Sequence, residues 1–71
     1  MKVIDINGKE RDIKSMKKMN HSFIDAVSGE QVTEVFVEVM IIGHNNEWVE
    51  WWPLDEFKRH NPTRKPRWKN N

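Results

Sequence analysis

Residues 31–42 read Gln-Val-Thr-Glu-Val-Phe-Val-Glu-Val-Met-Ile-Ile, a stretch whose β-branched side chains recur at every second position, a spacing that an amphipathic helix does not use. With a period of two, Val35, Val37, Val39 and Ile41 share one face, while Glu34, Phe36, Glu38, Met40 and Ile42 share the other. The first face predicts a core. The second mixes carboxylates with an aromatic and two apolar groups, which predicts a partly covered or ligand-facing surface. A chain of 71 residues with 37% hydrophobic content has room for one small core around such a strand. Its four Trp and three Phe are the side chains that can reinforce it.

The flanking segments supply turns. Asn7-Gly8, between Lys2–Ile6 and Lys9–Ile13, predicts a two-residue type I′ hairpin turn with Ile4, Ile6 and Ile13 toward the core. Met16 and Met19, three apart in Ser15–Asn20, predict a single helical turn as a connector, and Phe23–Val27 predicts a short strand closed by Ser28-Gly29. Gly43-His44-Asn45-Asn46 predicts a second hairpin, its Gly and Asn tolerating positive φ. The return strand Glu47–Trp52 carries Val49 and Trp51 on one side and Trp48, Glu50 and Trp52 on the other. Pro53 stops that strand, and Leu54–His60 predicts a helix with acids in its first turn and bases in its last, as the helix dipole favours. The sum is a mainly β fold: a small, strongly bent antiparallel sheet or SH3-like barrel of about five strands with a short C-terminal helix. Residues 1–62 form the single domain, and residues 63–71, which follow Pro62, contain Pro66 and show no hydrophobic period, form a basic flexible tail.

The net charge of +1 conceals a strong segregation. Residues 19–57 hold eight carboxylates and no Lys or Arg, whereas residues 58–71 hold six cations and no acid. Blocks of one sign suit a partner of the other. The acidic reading assigns a protein-binding surface to Phe36, Glu38, Trp48, Glu50 and Trp52, aromatic anchors with a charged rim. It implies a protein partner with a basic surface, which includes a second copy of the chain or its own tail. The alternative assigns a nucleic-acid interface to Lys14, Lys17 and Lys18 of the connector with Arg64, Lys65, Arg67, Trp68 and Lys69 of the tail, bases for phosphates and an indole for stacking. Against it stand Glu34, Glu38, Glu47 and Glu50 on the sheet.

No enzyme is expected. His21, His44 and His60 are scattered, a Glu38–Glu50 pair across the second hairpin lacks a cleft, and no Gly-rich phosphate loop or Cys nucleophile exists. No cofactor, metal or small-molecule substrate is expected either. The absence of Cys fits a reducing, cytoplasmic setting, and neither a signal peptide nor an apolar stretch long enough for a membrane span is apparent.

Two resemblances add to these expectations. Trp51-Trp52-Pro53-Leu54-Asp55-Glu56-Phe57 looks like the strand-to-helical-turn corner of SH3-like and chromo-type barrels. Asn7–Met19, a hairpin turn followed by a Lys-Lys connector, resembles the small chromatin proteins of hyperthermophilic archaea, which implies a barrel-like sheet and DNA binding. Where that family has an exposed aromatic after the connector, this chain has Asn20. In style the chain is also similar to small phage and prophage proteins, which implies a modulator of a host protein.

Overall fold

The computed structural model describes residues 1–69. Four strands form an antiparallel meander, β1 (Lys2–Ile4), β2 (Glu10–Ile24), β3 (Gln31–Ile42) and β4 (Glu47–Pro53), followed by helix α1 (Leu54–His60) and a short strand β5 (Arg67–Trp68). The sheet order is β1-β2-β3-β4, and β5 adds to β2 in parallel. The sheet curls into a half-barrel with the helix at its C-terminal side.

The face assignment of β3 holds. Val37, Val39 and Ile41 are buried on the inner face, where Val3, Ile13, Trp52 and Phe57 complete the core and Met16 and Leu54 pack against it. Trp52 and Phe57 meet with ring centroids 6.2 Å apart. Each such aromatic removes about 150–250 Å² from water, worth at most about 4–6 kcal/mol, so these two rings supply a large part of what a domain this small can gain by burial. α1 spans the predicted residues, with Asp55 and Glu56 in its first turn and Lys58, Arg59 and His60 in its last.

The first hairpin turns differently from the type I′ expectation. Asp5 N–H donates to Lys9 O at 2.8 Å and Gly8 N–H to Asp5 O at 2.9 Å, and Gly8 alone in this turn has positive φ, at 79°. That is a three-residue connection whose last residue adopts the left-handed conformation. Asp5 explains the preference, since its Oδ1 accepts from the backbone N–H groups of Asn7 and Lys9, both at 2.9 Å, and its Oδ2 accepts from Arg11 Nε at 2.9 Å. Burial pushes the Asp5 carboxyl up, yet the hydrogen bonds from Lys9, Arg11 and Asn7 outweigh it and hold the group below its ordinary value.

The connector between the hairpins is also corrected: Ser15–Asn20 is not a helical turn, and Phe23 does not begin a separate strand. Glu10–Ile24 is one continuous strand, paired with β3 from Ile13↔Ile41 to Ile24↔Gln31. A register shift between Ile13 and Ser15 leaves Lys14 as an extra residue. The bulge puts Ile13 and Met16, three apart, on the same inner face opposite Ile41 and Val39, while Met19 opposite Phe36 faces outward. The three-residue spacing of Met16 and Met19 therefore marks no shared face, and the long β-branched partner overrides local propensity. Gly43 has no positive φ; it is needed because a Cβ there would lie 2.5 Å from the Trp48 ring.

Asn61 fastens the helix to the sheet. Its Oδ1 accepts from Ile4 N–H at 2.7 Å and its Nδ2 donates to Ile4 O at 2.7 Å and to Phe57 O at 3.1 Å. One amide thereby plays the part of a strand neighbour for β1 and of a cap for α1.

Candidate nucleic-acid interface

The set Phe36, Glu38, Trp48, Glu50 and Trp52 does not form one surface. Registers Val37↔Trp52, Val39↔Glu50 and Ile41↔Trp48 place Trp48, Glu50 and Trp52 on the inner face, whereas Phe36 and Glu38 lie outside. Trp52 is 1% exposed and belongs to the core. Glu50 accepts from Trp48 Nε1 at 2.8 Å and Trp52 Nε1 at 2.9 Å, so its carboxylate satisfies two indoles of its own strand. Those two bonds hold its pKa down against desolvation. Glu38 and Glu50, on opposite faces, do not form a carboxylate pair.

The basic set gathers along one sheet edge, with Lys17 and Arg67 on its outer side and Lys18 and Trp68 on its inner side. Lys17 pairs with Arg67 and Lys18 with Trp68 in the parallel β2–β5 ladder. Residues about fifty positions apart in sequence become neighbours on one sheet edge. The expected tail therefore contains a strand. Lys69 N–H donates to Lys18 O at 2.8 Å, an Arg64 guanidinium N–H donates to Lys2 O at 2.9 Å, and Pro66 is buried. Asn70 and Asn71, the end of that expected tail, lie outside the described residues. Lys14, Lys17, Lys65 and Arg67 line an open depression of about 300 Å³ along this edge. A second, of about 280 Å³, is lined by Lys18, Asn20, Trp68 and Lys69. Lys18 Nζ lies 4.6 Å from the centroid of the Trp68 ring, and Trp68 is 51% exposed.

The carboxylates nearest this edge are partly neutralised from it. Lys69 Nζ lies 3.0 Å from Glu38 Oε2, and Glu38 Oε1 also accepts from Trp51 Nε1 at 3.0 Å. The indole first and the ammonium second hold Glu38 below its ordinary pKa. Lys14 Nζ lies 3.6 Å from Glu47. The repulsion expected from the sheet acids is correspondingly muted on this side.

Sequence reasoning missed an aromatic cluster on the outer face. His21 sits 5.7 Å from Phe36, 6.2 Å from Phe23 and 6.3 Å from Trp51, centroid to centroid. With Met19, the rings of His21, Phe36 and Trp51 line a depression of about 160 Å³, and Trp51 is 56% exposed. The outward placement of Trp51 opposite Trp48 was legible in the alternation of β4, but not that β2 would deliver His21 beside it, because residues 15–20 do not announce a strand. Among the described residues no group of three His, Asp or Glu side chains is placed to hold a metal, and no helix is long and apolar enough to cross a membrane. Comparison with protein-family models, with curated proteins and with solved structures finds no match for the chain.

Proposed function

We propose that this chain is a non-enzymatic module that binds single-stranded nucleic acid along the β2–β5 edge. The observation that carries the reading is the parallel pairing of Arg67 and Trp68 with Lys17 and Lys18, which merges two basic segments and an exposed indole. Lys14, Lys17, Lys65 and Arg67 neutralise phosphates, Lys18 and Lys69 flank the path, and a base stacks on the open face of Trp68. A single strand suits the site better than a duplex, since Trp68 offers a stacking plane beside Asn20, whose amide can meet a base edge.

The test is fluorescence anisotropy with short labelled single-stranded and duplex DNA and RNA over a salt series. Binding falls with salt, Lys17→Glu with Arg67→Glu weakens it at least tenfold and flattens the salt slope, and Trp68→Ala weakens it about five- to hundredfold, the range of a lost stacking contact. Absence of binding at low salt, or binding that ignores the double reversal, refutes the reading. A second reading, a protein-interaction surface, is favoured by the depression between His21, Phe36 and Trp51. It needs aromatic anchors around Glu38 rather than around Glu50, and Trp51→Ala is the variant that separates it from the nucleic-acid reading.

A further inference from the structure

β2 and β3 run on beyond the body as a two-stranded arm, residues 20–33. β4 stops pairing at Phe36, and β5 pairs only with Lys17 and Lys18, so among the described residues neither edge of the arm has a partner strand. The arm is apolar where it is most exposed: Ile24 is 65% and Val27 98% accessible. Isolated two-stranded ribbons are marginal, and an open apolar edge invites another strand.

The hydrogen-bond phase tells which groups are open. Asp25 N–H donates to Glu30 O across the arm. In an antiparallel ladder the inward-pairing residues alternate, so Phe23 and His21 pair inward, while Asn20, Ser22 and Ile24 turn their N–H and C=O outward. Lys18, in the same phase, offers its C=O outward to Lys69 N–H. We infer that the Asn20–Ile24 edge pairs antiparallel with the same edge of a second copy, about a twofold axis at Ser22, joining two half-barrels into one continuous sheet.

Three features on the page select this partner. First, the twofold sets Ser22 against Ser22 and Asn20 against Ile24, all residues with outward backbone groups, so the ladder closes without changing β2–β3 pairing. Second, His21 falls opposite Phe23 of the other copy, extending the existing His21–Phe23 stack across the junction. Third, the charges interlock: the arm carries Asp25 and Glu30, with Glu34 just beyond it, and no Lys or Arg, and the offset lays each Asp25 tip beside Lys18 and Lys69 of the other copy. The β3 edge is the poorer choice, since the same operation there brings Glu30 and Glu34 of both copies together. This inference shares Lys18, Lys69 and Asn20 with the nucleic-acid reading, but it is read out as self-association of the chain without nucleic acid, so either can fail while the other stands.

Sedimentation velocity over a concentration series tests it. The full chain and Ser22→Ala show a reversible monomer–dimer equilibrium, whereas Ser22→Pro, which deletes an outward N–H, weakens dimerisation at least tenfold while the near-ultraviolet signal of buried Trp52 persists. Should Ser22→Pro not fold, Ile24→Lys, which sets a cation against Lys18 and Lys69 of the other copy, gives the same loss from an exposed site. Amide exchange adds a direct readout, with Asn20, Ser22 and Ile24 protected only at concentrations where the dimer forms. A chain that stays monomeric at its highest soluble concentration, or a dimer untouched by these variants, overturns the proposal.

Discussion

The body and the arm are built from the same two strands, and only one of them has a core. Along β2 and β3 the ladder is continuous from Ile13↔Ile41 to Ile24↔Gln31, yet Val37, Val39 and Ile41 are buried while residues 20–33 contain none that is. Backbone pairing is therefore not what separates the two regions. The difference is cover: β1, α1 and Trp52 close over one end, and nothing in the described chain closes over the other. Hydrogen bonds exchanged for those with water contribute little net stability, so burial sets the contrast.

Truncating the core breaks that contrast most severely. Trp52→Ala costs about 3–5 kcal/mol, enough to unfold a domain this small in a denaturant titration followed by circular dichroism. Phe23→Ala in the arm costs under about 1.5 kcal/mol, since its ring is already partly in water. A Phe23→Ala loss as large as that at Trp52 would mean the arm has a cover of its own. Next comes Asn61→Ala, which strands the N–H and C=O of Ile4 and costs about 1–3 kcal/mol, read as a lower midpoint in the same titration. It leaves the arm unchanged, so exchange rates at 20–33 should not move. Gly29→Ala, at φ 74° in the arm's turn, costs about 1 kcal/mol. Gly43→Ala, under the Trp48 ring, costs about 1–3 kcal/mol through overpacking and ranks beside Asn61→Ala; finding the two glycines equal would put the strain in φ rather than in contact.

The smallest effect is in acid. Asp5 titrates below its ordinary value of 3.8 in the folded chain, so its contribution is complete above about that pH and is lost as pH falls through the lower folded value. Asp5→Asn is accordingly less stable than the parent at neutral pH, and the gap narrows towards pH 3. Asp25 is likewise held down by the N–H groups of Val27 and Ser28, but it lies in the arm, and its replacement by Asn changes local exchange rather than the global midpoint.

The body was far more legible than the arm, for the same physical reason. Residues with a burial pattern leave a period in the sequence, and Val35–Ile41 and the Leu54–Phe57 pair were readable from it, whereas Trp52, expected on the binding surface, is core. Residues 15–24 are polar on much of both faces, so only the register with β3 makes them a strand. The interface was half legible: the two basic segments were identified separately, but a two-residue parallel strand such as β5 has no periodicity by which to predict that they meet. The acidic set spans two faces because the register Val37↔Trp52 aligns the Trp48, Glu50 and Trp52 side of β4 with the buried face of β3 rather than with Phe36 and Glu38, and alternation within each strand does not reveal which faces coincide.

The extra residue at Lys14 makes β2 behave like a message with a reading frame. Lys14 itself stands outside that frame, so deleting it would close the bulge and leave Met16 inward and Lys17, Met19, His21 and Phe23 outward, whereas deleting Lys17 would either flip every later side chain or close the bulge and carry Met16 out into water. Single deletions between Met16 and Ile24 should therefore be far less tolerated than loss of Lys14 or substitutions at the same sites, while added residues at Ala26–Ser28, beyond the last paired position, leave the phase intact. The chain can vary its surface letter by letter and can spare the one unpaired letter at Lys14, but a letter lost from Met16 onward rewrites a face.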